Sequence, residues 1–89
     1  MNTKQQNIYT DTQLMNGTIC AFIIPNAANY SCAIRKQQKQ EEFDLFLFLI
    51  EEFCIFDGKK LSFEEVCELG CDDYLKIIEV IGRIITPIK

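Results

Sequence analysis

The alternation of apolar and polar positions is clearest in the middle of the chain. Residues 37–56 contain no Gly or Pro, and their apolar side chains recur at helical spacing, which predicts one long helix ending at Asp57-Gly58. One stripe is expected to form its core face: Phe43, Phe46, Leu47, Ile50, Phe53 and Cys54. The run 45–50 is apolar all round, which is typical of a helix that is buried on every side or contacts another molecule.

The segment before this helix predicts a small β element. Residues 18–24 are rich in β-branched and aromatic side chains and stop at Pro25, which predicts a strand. Asn16-Gly17 is a strong turn signal that can close a hairpin in front of it. Residues 27–36 fit a helix, but residues 30–34 fit a second strand equally well, so both interpretations stay open.

The segment after the long helix predicts two more helices. Ser62 and Glu65 have the spacing of a capping box, which starts a short helix that closes at Gly70. Residues 72–85 then carry one apolar stripe, which predicts a last helix. The fold class is therefore mostly α with a small N-terminal β element (α+β), a compact bundle of three to four helices around one long apolar helix.

Length sets the domain organisation. The 89 residues are enough for one domain with a small core. The polar residues 1–7 are expected to form a flexible N-terminus. Residues 8–89 are expected to form a single helical domain that begins with a strand or a hairpin.

Composition and charge narrow the classes of partner. Apolar residues make up 48% of the chain, so a domain this small is expected to leave some of them exposed for binding or self-association. The net charge is −4, which argues against nucleic acid and an anionic membrane surface as partners. No secretory signal is visible and the longest apolar run is too short to span a bilayer, so the expected localisation is cytoplasmic.

The inventory of catalytic groups is poor. The chain has no His, the commonest general base and zinc ligand. It has no phosphate-binding or dinucleotide-binding glycine motif. Its five cysteines follow neither a disulfide framework nor the spacing of a structural zinc site. We therefore expect no enzyme activity, no cofactor and no metal.

The candidate site lies on the long helix, away from its core stripe. Phe48 follows Asp44 by four residues and precedes Glu52 by four, so it is expected to project from an acidic face. One interpretation is that Leu45, Phe48, Leu49 and Glu52 contact a protein partner or a second copy in a homo-oligomer. The other is that this is a central helix wrapped by the strands and the last helix.

The chain from residue 24 onward also resembles phage and prophage tail assembly chaperones. Four stretches carry the resemblance: Ile-Pro-Asn at 24–26, a charged helix running into an apolar one at 34–56, FDGKKLSFEEVCEL at 56–69 and DDYLKIIEVI at 72–81. The resemblance implies a mostly helical protein of the host cytoplasm, in some members oligomeric, that coats a hydrophobic tape measure protein before the tail tube polymerises. Leu45, Phe48 and Leu49 would then shield apolar helices of that partner.

The acidic balance supports a different function as the alternative. A phage-encoded inhibitor or adaptor of the anti-defence type would occupy a basic cleft of a host protein. Its contacts would come from four acids: Glu41, Glu42, Glu51 and Glu52. Charge-driven binding of that kind weakens with ionic strength, whereas apolar burial does not.

Overall fold

A computed structural model describes residues 8–85, which form three strands and four helices. In chain order they are β1 (Ile8–Gln13), β2 (Ile19–Ile23), α1 (Ala27–Lys39), α2 (Leu45–Phe53), β3 (Cys54–Phe56), α3 (Phe63–Cys67) and α4 (Cys71–Ile85). The strands make one antiparallel sheet in the order β1-β2-β3. The predicted α+β class with an N-terminal β element is confirmed, and the expected flexible N-terminus lies outside the described residues.

A tight turn joins β1 to β2. The amide of Leu14 donates to the carbonyl of Thr18 at 2.8 Å, and the Asn16 side chain accepts from the amide of Thr18 at 3.0 Å. Gly17 has a φ of +93°, a conformation that costs glycine little. The Asn16-Gly17 signal therefore does mark a hairpin, with a three-residue loop that places a glycine in the left-handed region.

The segment that fits either helix or strand is the helix α1. Asn26 is its N-cap: the Asn26 side chain accepts from the Asn29 amide at 2.9 Å, and the Asn29 side chain accepts from the Asn26 amide at 2.9 Å. This reciprocal cap satisfies amides that the first turn of a helix leaves unpaired. Residues 30–34 consequently lie inside a helix.

The prediction of a single long helix over residues 37–56 is wrong. α1 ends at Lys39, residues 40–44 form a loop, and α2 has only nine residues. Asp44 starts α2 as its N-cap, accepting from the Phe46 amide at 3.3 Å. At the other end Cys54 is extended, with φ −111° and ψ 144°, because residues 54–56 pair with β2 instead of continuing the helix.

α2 lies at the centre of the molecule, packed against α1, α3, α4 and the sheet. One face of the sheet contributes Cys20, Phe22, Cys54 and Phe56 to the core, in line with the two-residue period of strands. α2 and α4 contribute the other large buried side chains: Phe48, Leu49, Ile50, Phe53, Ile77 and Ile81. Among the described residues, no helix has both the length and the apolar character that a membrane span requires.

Candidate protein-binding groove

The structure corrects the predicted position of Phe48 and Leu49. Phe48 is 1% exposed and Leu49 is fully buried, whereas Leu45 is half-buried. The expectation that Phe48 projects from the surface is wrong because Phe63 of α3 stacks on its ring, with centroids 4.5 Å apart and planes 9° from parallel. In this conformation neither Phe48 nor Leu49 can contact a partner.

Only some of the residues predicted as the core face of the long helix are buried. Ile50, Phe53 and Cys54 are buried as expected. Phe43 lies in the loop before α2, and it is only partly buried, as are Phe46 and Leu47. The prediction of one continuous stripe fails because residues 40–44 form a loop, so residues before and after it do not share one helical face.

Glu52, the fourth predicted binding residue, is held inside the chain. Its side chain is 16% exposed and accepts from the Lys36 ammonium at 3.1 Å, and Glu51 accepts from the same group at 3.3 Å. Burial alone would lower the pKa of Lys36, but the hydrogen bonds and charges of Glu52 and Glu51 raise it overall. The two acids thus join α2 to α1 and are already paired, which removes half of the acidic set expected to enter a basic cleft.

An open groove of about 420 Å³ lies between the loop before α2 and the helix α3. Six residues line it: Gln40, Phe43, Phe63, Glu64, Cys67 and Glu68. Its volume is in the range of ordinary ligand sites, and its apolar lining comes from two aromatic rings.

Short-range contacts fix both walls of the groove. On the α3 side, the predicted capping box is present: the Ser62 amide donates to the Glu65 carboxylate at 2.9 Å, and the Glu65 amide donates to the Ser62 hydroxyl at 3.2 Å. This cap sets the first turn of α3, which carries Phe63 and Glu64. On the loop side, the Gln37 side chain donates to the carbonyl of Phe43 at 3.2 Å.

The groove floor is the outer end of a column of three aromatic rings. Phe43 meets Phe63 edge to face, with centroids 5.1 Å apart and planes at 83°. Phe63 in turn lies parallel to the buried ring of Phe48. Both arrangements are favourable for aromatic pairs. The buried ring of Phe48 therefore supports Phe63, and Phe63 in turn contacts Phe43, so a ligand would meet a preorganised surface.

The walls of the groove are acidic. Glu64 and Glu68 flank Cys67, and none of the six described lining residues is basic. Burial raises the pKa of the Cys67 thiol, and the charges of Glu64 and Glu68 raise it further. A raised pKa disfavours the thiolate, which is the form of cysteine that acts as a nucleophile. Within residues 8–85, no group of three or more Cys, Asp or Glu side chains is placed to hold a metal.

Sequence reasoning missed most of this groove. The sequence pattern predicts Phe43 as a core residue, and it does not predict Phe63, Glu64, Cys67 or Glu68 as partner-binding residues. The capping box was the available signal, because it predicts that Phe63 and Glu64 begin a helix, but it does not say what they face. No protein-family model, curated protein or solved structure matches the chain.

Proposed function

We propose that this chain is a non-enzymatic protein-binding protein that shields an apolar segment of its partner. The tail assembly chaperones that it resembles do this for the tape measure protein, and we propose the same class of partner here. One observation carries the proposal: two partly exposed aromatic rings, Phe43 and Phe63, line an open groove in contact with each other, and the buried Phe48 stacks on Phe63.

The physical basis is the low cost of ordering such a surface. Aromatic side chains bury a large apolar area for few rotatable bonds, and they are enriched among the residues that dominate binding energy. Stacking already restricts Phe63, so less conformational entropy is lost on binding. A groove lined this way suits the apolar face of a helix, with one or two of its side chains seated between the rings.

The resemblance supports the same location. The stretch 56–69 that carries its longest motif forms the end of β3, the turn at Asp57-Gly58 and the helix α3. That stretch supplies Phe63, Glu64, Cys67 and Glu68, four of the six residues lining the groove. The site proposed from the geometry therefore replaces the site proposed from the helical pattern, while the class of partner is unchanged.

Co-expression with a long helical tape measure protein tests the proposal. We expect a soluble complex on gel filtration, and we expect Phe43→Ala to weaken it by about tenfold or more, as loss of an aromatic anchor does. Leu75→Ala is the matched control, because Leu75 is an exposed apolar residue on α4 that does not line the groove. Circular dichroism verifies that both variants fold.

Two results would count against the proposal. If Phe43→Ala and Leu75→Ala form the complex equally well, the groove is not the binding surface. If the unmodified chain leaves the tape measure protein insoluble, the shielding role fails as a whole.

A further inference from the structure

The two carboxylates that line the groove, those of Glu64 and Glu68, form no ion pair in the described part of the chain. There the ion pairs of carboxylates involve Glu51, Glu52 and Glu79, and none involves Glu64 or Glu68. Glu41 and Glu42 are exposed in the loop between the lining residues Gln40 and Phe43. Two carboxylates without an ion pair therefore line the groove beside the aromatic rings, in contrast to α2, where Lys36 pairs with the acids.

This arrangement has a consequence for any apolar occupant. A segment that covers Phe43 and Phe63 also displaces water from the adjacent Glu64 and Glu68. Removing water from a carboxylate without supplying a counter-charge is costly, and the cost opposes the gain from apolar burial. An occupant that brings its own cation offsets the cost, and an acidic occupant adds repulsion.

We propose that the groove selects a basic amphipathic segment of its partner. An apolar side chain of that segment packs against Phe43 and Phe63, and a neighbouring Lys or Arg lies between Glu64 and Glu68. A guanidinium or ammonium group in this position can also approach the face of an aromatic ring, an attraction that adds to the ion pair. This inference rests on the proposed function, because it specifies the chemistry of the partner at the same groove.

Two synthetic helical peptides test the inference. Both carry the same Leu and Phe residues on one face, and the flanking positions are Lys and Arg in one peptide and Glu in the other. Affinity is measured by calorimetry at low and high NaCl. Occupation of the groove is measured by protection of Cys67 from N-ethylmaleimide, with the exposed Cys71 as the reference thiol because it does not line the groove.

We expect the basic peptide to bind about tenfold more tightly than the acidic one at low salt, to protect Cys67 but not Cys71, and to lose much of this advantage at high salt. The double variant Glu64→Gln, Glu68→Gln should remove most of the preference. The control Asp11→Asn, Glu79→Gln removes the same number of charges at exposed positions outside the groove and should keep the preference.

Each contrary result has a distinct meaning. Equal binding by both peptides with Cys67 protected would overturn the charge selectivity and leave the binding groove in place. Failure of both peptides to protect Cys67 would overturn the groove itself, and the selectivity with it. Binding of the basic peptide without protection of Cys67 would also overturn the inference, since the contact would then lie elsewhere on the acidic surface.

Discussion

At the scale of single residues, Asp44 determines where the central helix begins. One of its carboxylate oxygens accepts from the Phe46 amide at 3.3 Å, and the other accepts from the hydroxyl of Tyr74 at 3.1 Å. The first contact caps α2, and the second attaches that cap to α4. A polar residue directly before an apolar run can therefore start a new helix, because its side chain replaces a missing backbone partner.

The burial of Tyr74 and its contact with Asp44 make the stability of the fold depend on pH in the alkaline range. Burial, followed by the hydrogen bond to Asp44 and its charge, raises the pKa of Tyr74 from 10.0 to about 12. A phenol whose pKa is raised by folding binds its proton more tightly in the folded state. The resulting stabilisation is therefore complete below pH 10 and is lost as the pH rises toward 12.

Urea denaturation of the wild type and of Tyr74→Phe across this pH range measures the effect. We expect the wild type to lose more free energy of unfolding than the variant, because lysine and cysteine titrations affect both proteins alike. Parallel pH profiles for the two proteins would show that the Tyr74 hydroxyl makes no such contribution.

At the scale of elements, α2 is a structural centre and not an exposed recognition helix. Phe48→Ala should lower the free energy of unfolding by about 3–5 kcal/mol, the usual cost of removing a fully buried phenylalanine. Phe43→Ala should cost much less, because Phe43 is only partly buried. Chemical denaturation of the two variants separates the cases, and similar losses of stability would contradict the assignment of Phe48 to the core.

Short sequence patterns correctly predicted those elements whose formation depends only on residues close together in the chain. The hairpin at Asn16-Gly17, the capping box of Ser62 with Glu65, and the apolar stripe of α4 need only a few residues in sequence, and all three appear in the structure. The division of residues 37–56 could not be predicted in this way. The attachment of Asp44 to Tyr74 and the pairing of β3 with β2 fix this division, and both join residues about thirty or more positions apart in sequence.

The candidate site could not be predicted from the sequence because it too depends on contacts between elements. The helical period correctly marked residues 45–50 as apolar all round, but it could not say whether the chain itself would cover them. The cover comes from Phe63, which belongs to a different element and lies fifteen residues beyond Phe48. Only the tertiary packing moves the exposed aromatic surface from Phe48 to Phe43 and Phe63.

Side chains of α4 cover the end of the open edge of the sheet. Leu14 is hydrogen-bonded across the hairpin to Thr18. In an antiparallel pair, hydrogen-bonded positions alternate with positions that are not hydrogen-bonded, so the amide and carbonyl of Gln13 point away from β2. Lys76 donates to the carbonyl of Gln13 at 3.0 Å. Asp73 accepts from the amide of Met15 at 3.1 Å. Unpaired strand edges promote self-association, and contacts of this kind suppress it.

Removing both contacts should therefore expose the edge. We expect the double variant Asp73→Ala, Lys76→Ala to associate at lower protein concentration than the wild type in sedimentation velocity. Glu79→Ala, Arg83→Ala is the control, because it also removes one acid and one base from α4 but breaks only their own ion pair at 3.0 Å. Identical sedimentation of the two double variants would exclude the protective role of Asp73 and Lys76.

At the scale of the whole molecule, one small chain covers most of the apolar surface of α2, whose residues 45–50 are all apolar. Surface-to-volume scaling makes this difficult for 89 residues. The chain achieves it by placing α2 between one face of the sheet and the other helices, so that sequence-distant residues such as Phe22, Phe63 and Ile77 surround it. The core thus joins residues from elements that are far apart in sequence, and we expect it to unfold as one unit.

The five free cysteines provide a test of this cooperativity at several depths. Cys67 and Cys71 are exposed, Cys32 is half-buried, and Cys20 and Cys54 are fully buried on adjacent strands. A hydrogen bond to Cys20, together with burial, raises the pKa of Cys54, so alkylation of this thiol requires opening of the sheet.

Alkylation under native conditions, followed by mass spectrometry, should therefore modify Cys67 and Cys71 first. Cys20 and Cys54 should react together, at a rate that rises with urea as steeply as global unfolding does, because both are released only when β2 separates from β3. If Cys54 reacts well before Cys20, β3 opens as a separate unit. In that case the seam between the sheet and α2 is the weak point of the fold, and α2 loses its cover without unfolding of the whole chain.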